Sequence, residues 1–420
     1  MRLSQGDFMV ASTHRTDILP VVIGGDIGAY ALAREFHEAL GTKPMLINTG
    51  FIGAISHSKI LDTHAVKALD DKQLLEAITQ ICATAGEKTI LLVANTDQLI
   101  ELLERVHDQL PCGVVCPIPS LEAFNAVCDK ASFAKLCEAH GLAVPQTEVV
   151  HLAGTDPIAP TALSFPVIAK PAESAGYYTT LIKGFKKVYC MHQQSELDAL
   201  WAKLRASGFS GDFLVQHLIA GDDSYMDSIT IYMGADGKAR MLGAAQVLLE
   251  DHAPTMLGNP VAMVIREKPE QWTKVEHMLQ SIQYRGFANF DIKRDPLDGT
   301  EYFLDCNPRI GRNSYYNCAG GVNPMQVLIN EAIDQTSEEV HIANSPALYT
   351  LVPLSLMRKY IQDPQLMDEV NHLISTNRVV NPQHNPADKG IKRLLDVFLT
   401  ESNQIRKFAK HYPRATDTSF

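Results

Sequence analysis

The sequence has no apolar run approaching the roughly 18 residues that a membrane-spanning helix needs, so no membrane span is expected. Its opening, MRLSQGDFMVASTHRTD, lacks the charged-then-apolar order of a secretion signal, which points to the cytoplasm. Cysteine is sparse, eight in 420 residues, with no CxxC pair. Cys112 and Cys116 are spaced CxxxC, but no nearby histidine or second pair completes a zinc site. In an unsecreted chain such thiols are read as small buried hydrophobes. The 15 histidines form neither HExxH nor HxxxH, which argues against a catalytic zinc. Positive charge is short as well. The formal net charge of −11 argues against generic nucleic-acid binding, which lysine and arginine drive by neutralising phosphates. An anionic small substrate stays open, provided that its site is locally basic. Repeats and low-complexity tracts are missing too. GGDIGAY is glycine-rich without GxGxxG, and it reads better as a tight strand-to-helix turn than as a dinucleotide site.

What is present is ordinary globular composition, 46% hydrophobic and 20% charged, at a length that suits two to three domains of roughly 150 residues. Between Pro20 and Pro119 apolar runs (PVVIGG, PMLIN, TILLVA, GVVCPI) alternate with amphipathic stretches (IGAYALAREFHEAL, KQLLEAITQICATAG, DQLIELLERVHDQL). That βαβα order predicts a parallel sheet covered on both faces. Ser120 reads as the N-cap of a helix through Val127, and a second helix ends at Gly141. From Phe165 the pattern turns to strands, PVIAKPAESAGYYTTLIKGFKKVYC, then a helix around ELDALWAKL and the strand DFLVQHLIAG. A β-rich region follows, DSITIYMG, ARMLGAAQVLLE and PVAMVIRE, before the helix QWTKVEHMLQSIQYRG. In FANFDIKRDPLDGTEYFLDCNP the turn cluster RDPLDGT makes its two flanks an antiparallel hairpin. After Pro324 the segments read as helical to the C-terminus.

The hairpin concentrates unusual chemistry. Asp291 lies on its first strand and Asp305 on its second, with Asn307 two residues on and therefore on the same face. A suitable register brings Asp291 beside them. Two carboxylates and an amide oxygen are hard ligands that suit Mg²⁺. The alternative is a pair of surface acids, each matched by a lysine or arginine. Arg309 and Arg312 follow on an irregular loop, where a cation beside a metal would stabilise a phosphoryl group in transfer. Either arginine alone fits a surface ion pair. Lys130 sits in CDKASFAKL, and Lys170 ends the apolar strand PVIAK, where an unpaired ammonium would be costly. The small residues of PAESAG after it could close over phosphates with backbone N–H groups.

This set resembles the ATP-grasp superfamily of carboxylate–amine ligases. The resemblance rests on a lysine after a helix, a strand lysine before a small-residue loop, the linker FLVQHLIAGDD and the DxNPR element. It covers about 120–330, and 18–119 resembles the α/β domain that usually precedes. VVIGGDIGAYALAREFHE and YRGFANFDIKRDPLDG…DCNPRIGRNSYY are similar to the bacterial D-aspartate ligase group. The resemblance implies an α/β protein with a Rossmann-like pre-ATP-grasp domain (1–119) followed by a two-part α+β ATP-grasp fold. The small subdomain would be 120–218, the large subdomain with the metal site 219–335, and 336–420 a C-terminal helical extension. It further implies ATP and Mg²⁺ as cofactors, with Lys130 and Lys170 on the phosphates. Adenine would be held by Gln216–Ile219, mainly through the backbone of His217 and Ile219, and ribose by Asp223. Asp291, Asp305 and Asn307 would bind the metal, and Arg309 would stabilise the transferring group.

The implied reaction forms an amide through an acyl phosphate. The acid would be D-aspartate, and the amine the lysine side chain of a UDP-linked muramyl peptide in peptidoglycan synthesis. Arg312 is the candidate for a second substrate carboxylate. A homodimer is compatible with this reading. Family members commonly carry Glu where this sequence has Asp291 and Asp305, and the loop after Lys170 lacks the glycine run of the biotin-carboxylase branch. The competing readings are a ligase for another amino acid or dipeptide, and a catalytically silent nucleotide-binding scaffold.

Overall fold

The structure, a computed structural model, describes residues 14–172, 174–336 and 339–420. Most of the opening stretch weighed above as a secretion signal lies outside the described residues. Five strands, β1 (Ile18–Ile23), β2 (Met45–Asn48), β3 (Asp62–Ala65), β4 (Thr89–Ala94) and β5 (Val114–Val115), form a parallel sheet in the order β3-β2-β1-β4-β5. The uninterrupted apolar runs of β1 and β4 suit strands buried on both faces, and Val21, Val22, Leu91 and Leu92 are all buried. β3, with sequence DTHA, carries no apolar signal because it is a mostly exposed edge. The first helix, Ile27–Leu40, starts at Asp26, whose side chain accepts from the Ala29 N–H, and ends at Gly41 in the left-handed conformation (φ 67°). Strand order reverses between β1 and β4, so the loops after both strands open onto one crevice.

A second, antiparallel sheet holds β6 (Thr147–His151), β7 (Val167–Pro171), β8 (Tyr189–Met191) and β9 (Asp212–His217) in the order β6-β9-β7-β8. Between β7 and β8, where the sequence reads as strand, the chain forms a helix at Ser174–Ile182. YYTTLI is β-prone, but the helix seats Tyr177 against Phe209 and Phe213, edge to face at 5.3 and 5.5 Å, and that packing decides. Of the expected PAESAG loop, Pro171 closes β7, Glu173 lies outside the described residues, and Ser174 begins the helix.

The large sheet takes β10 (Met226–Met233), β11 (Ala239–Glu250), β12 (Pro260–Arg266), β13 (Gly286–Arg294) and β14 (Glu301–Asn307). It is completed by β15 (His341–Ala343), β16 (Leu348–Thr350) and β17 (Val379–Val380), in the order β14-β13-β10-β11-β12-β16-β17 with β15 beside β11. The segment expected as a purely helical extension from 336 therefore adds three strands to this sheet. They are too short to show an alternating pattern. Helix Pro269–Ser281 lays Trp272, Val275, Met278 and Leu279 on the core that also holds Ile229, Ile231 and Phe290. The last helix, Ile391–His411, returns to the start of the chain. Its Arg393, 1% exposed, lies 4.5 Å over the Tyr30 ring and 2.8 Å from Asp388.

Candidate active site

The β13–β14 register places Asp291 opposite Asp305 and Asn289 opposite Asn307, with a bulge just after Asp291. All four side chains therefore share one face. Two lysines from other elements meet there. Lys130, the first residue of helix Lys130–Ala139, contacts one Asp305 oxygen, and Lys170, near the end of β7, donates to the other at 3.1 Å. Burial alone would push the Asp305 carboxyl up, but the two ammonium groups outweigh it and hold it well below the usual carboxylate range. Lys170 is lowered by burial in spite of Asp305. Asp291 stands in the opposite state. Burial, then the charge of Asp305, push it up to about 6 against the pull of Arg309 and a hydrogen bond from Asn307.

Asn307 Nδ2 donates to Asp291 at 3.1 Å, and Arg309 Nη2 donates to Asn307 Oδ1 at 3.1 Å. Lys187, which the sequence reading passed over, acts electrostatically on both Asp291 and Lys170. Its backbone N–H donates to Pro254 O at 3.0 Å, which holds the β7–β8 connection against the loop after β11. The adjoining lysines of GFKKVYC, just before a strand, were the available signal. Lys130, Lys170, Lys187 and Arg309 thus outnumber the three carboxylates they face, Asp291, Asp305 and Asp97, and the site favours an additional anion.

The residues also fit a divalent cation. Among the described residues no cluster of three His, Cys, Asp or Glu could ligate a metal alone. What is present is two facing carboxylates and an amide oxygen, a set that leaves positions for phosphate and water, as Mg²⁺ requires. The raised Asp291 marks a carboxylate short of positive charge, which a cation between it and Asp305 would supply.

The linker lies at the end of β9, the strand next to the one that carries Lys170. Gln216 Nε2 donates to Thr147 Oγ1 at 2.9 Å, and Ile219 is buried. The His217 N–H donates to Gln146 O at 2.9 Å inside the sheet, so it is the carbonyl of His217, not its N–H, that could meet an adenine ring. Asp223 also departs from expectation. It is 4% exposed, and its Oδ2 accepts from the Glu250 N–H at 2.8 Å and from His252 Nε2 at 2.9 Å. Turned inward, it fastens the linker to the end of β11 through Oδ2, while its Oδ1 is buried with no hydrogen-bond partner among the described residues.

The arginines face the crevice of the parallel sheet. Arg309 Nε donates to Asp97, after β4, at 3.0 Å, and Arg312 Nε to Asp26, after β1, at 2.7 Å. Asn95 lies there too, 2% exposed, with neither amide atom partnered among the described residues. The approach is tight: a Cβ on Gly28 would meet Arg312 Cγ at 2.7 Å. The structure therefore gathers Lys130, Lys170, Asp291, Asp305, Asn307 and Arg309 at one place, sets Arg312 at the crevice beside it, and turns Asp223 away. Asp26, Asp97 and Lys187 are the neighbours that sequence reasoning did not single out.

No family model matches the chain. A D-aspartate ligase from Enterococcus faecium (strain Aus0004) is 27% identical over 421 residues, covering 96% of this chain and 99% of that protein. Among solved structures, an L-amino acid ligase from Bacillus licheniformis is similar with a TM-score of 0.53 at 16% identity, over 78% of this chain and 77% of the other. An N5-carboxyaminoimidazole synthetase from Staphylococcus aureus, complexed with ADP, gives 0.56 at 13% identity, over 82% and 84%. These likenesses show the fold, and it is the ATP-grasp fold that the residue pattern implied.

Proposed function

We propose that this chain, built on the ATP-grasp fold and similar to a D-aspartate ligase along nearly its whole length, is an ATP-dependent ligase that activates an amino-acid carboxylate and joins it to an amine. The observation that carries this reading is the facing pair Asp291 and Asp305, with Lys130, Lys170 and Arg309 converging on it. A carboxylate oxygen of the acid attacks the γ-phosphorus of ATP, the bond to the bridging oxygen breaks, and ADP leaves. The amine nitrogen then attacks the acyl carbon, the carbon–oxygen bond to phosphate breaks, and the nitrogen loses a proton as the amide forms. Both steps concentrate negative charge at the far phosphate, so positioning and charge neutralisation suffice. Lys130 and Lys170 exchange Asp305 for phosphate oxygens, and Arg309 steadies the group in transfer. Asp291, Asp305 and Asn307 would hold a magnesium ion there, and the chemistry it would supply is positive charge for the phosphate oxygens.

In this reading the parallel sheet is the Rossmann-like domain before the ATP-grasp unit, and the two other sheets are its small and large parts. Adenine lies on the linker at Gln216–Ile219. The acid is D-aspartate, as the E. faecium relative suggests, with its second carboxylate on Arg312. The acceptor is the lysine side chain of a UDP-linked muramyl peptide, in the cytoplasm. The test is ADP release with MgATP over a panel of D- and L-amino acids, with and without that peptide. Turnover selective for D-aspartate, and amide formation only with the peptide, is the expected result. Tight ATP binding with no turnover on any acid would leave a silent scaffold instead.

A further inference from the structure

We infer that the helix Ile391–His411 is a docking element for an anionic bilayer surface, lying flat on it with one face inserted. The inner face of this helix is committed to the fold, with Arg393, Val397 and Phe408 buried. Its outer face is not. Ile391 is 82% exposed, Leu394 56%, Leu395 57%, Phe398 63%, Leu399 62% and Ile405 44%. Their spacing, i, i+3, i+4, i+7, i+8 and i+14, puts all six on one stripe along the helix. Single exposed apolar side chains need no account, whereas five within 391–399, with Ile405 further along the same side, mark a surface that something apolar covers.

The charges decide what that is. Lys389, Lys392, Arg406, Lys410 and Arg414 are exposed, and among the described residues none of them makes a salt bridge. The two acids of the helix each sit against a histidine of the chain, Asp396 at 2.6 Å from His57 and Glu401 at 2.9 Å from His384. Residues 389–414 hold seven of the chain's 37 lysines and arginines but two of its 48 acids, in a molecule of net charge −11. Positive charge is thus concentrated beside the stripe. A second copy docking about a two-fold axis would bring the same unpaired cations face to face. A nucleic acid would answer the cations and leave the stripe wet. An anionic bilayer meets both requirements, since acyl chains take the stripe and headgroups the cations. Insertion is interfacial, because no described helix is long and apolar enough to cross a membrane.

The test mixes the full chain with vesicles of phosphatidylcholine containing about a quarter phosphatidylglycerol, and separately with pure phosphatidylcholine, and measures co-flotation. Binding is expected on the anionic vesicles, weakened by added salt, and weak on the neutral ones. The double variant Leu395→Glu, Phe398→Glu is expected to bind at least about tenfold more weakly, and Lys392→Glu with Lys410→Glu several-fold more weakly. These positions are exposed, so thermal melting of the variants checks that the fold persists. No co-flotation with anionic vesicles, or equal binding by the stripe variants, overturns the inference. A dimer in sedimentation that the stripe variants dissolve, without vesicle binding, assigns the face to a second copy and overturns it too. Ligase turnover in detergent-free buffer reads the function proposed above independently of either result.

Discussion

Asp305 is the residue on which the site balances, because two ammonium groups share one carboxylate. Replacing it with asparagine leaves Lys130 and Lys170 facing each other in partly dried surroundings. The side chain keeps 28% of its exposure, which moderates the cost to about 1–3 kcal/mol. Asp305→Asn is therefore expected to lower the thermal midpoint and to cut ADP release by at least about a hundredfold. A melt and a turnover assay on the same preparation check both. Arg312 makes a different kind of prediction, since it stands at the crevice with Asp26. On the function proposed above, Arg312→Ala is expected to raise KM for D-aspartate about tenfold or more with KM for ATP unchanged. Arg312→Lys should not restore it, because an ammonium cannot present two parallel N–H groups to a carboxylate. An unchanged KM for the acid in Arg312→Ala would withdraw the residue from the site.

At the scale of elements, the first helix buries Glu35 against the loop that follows Arg312, with Ser314 Oγ donating to it at 2.7 Å. Burial pushes this carboxyl from 4.5 up to about 8, against the Ser314 hydrogen bond. A carboxyl raised on folding favours the protonated native state. Its contribution is full below 4.5 and is lost as pH climbs to about 8. Glu35→Gln should flatten the fall of the melting temperature over that window, which a pH series of melts on both chains measures.

The same helix shows how far the sequence reaches. Its span was legible residue for residue, because a polar cap, a helical apolar stripe and a terminal glycine all agree. β11 and the hairpin were legible for a similar reason, since local pattern and burial coincide there. Helix Ser174–Ile182 was not, because distant aromatic rings outvoted local preference. Of the site, the hairpin acids and both lysines could be picked out by residue type and position. The partners of the arginines could not: Arg309 meets Asp97 across 212 positions and Arg312 meets Asp26 across 286, distances over which sequence pattern carries no information. Asp223 misled for the converse reason. Its place after the linker suggested a ligand exposed to a ribose, whereas the structure buries it and bonds its Oδ2 to His252.

Across the whole molecule, beginning and end are locked by one buried cluster. Arg393 bonds to Asp388, Ala54 O and Gln383 O, while Tyr30 donates to Asp388 at 2.9 Å. Arg393→Met keeps much of the volume and strands the buried Asp388 charge, an expected loss of about 3–5 kcal/mol. The melting temperature should fall and the last helix should become open to proteolysis before the parallel sheet does.

The large sheet has a consequence for how the molecule is made. β12 pairs with β11 on one side, and the strand that covers its other side, β16, lies at 348–350, with β17 at 379–380 beyond it. A chain still emerging from the ribosome therefore carries a hydrophobic ribbon with one row of amides and carbonyls bare, an invitation to any neighbouring polypeptide in the same condition. Only synthesis of 348–380 closes that seam, so premature stops near 340 should yield aggregates rather than a shorter working protein.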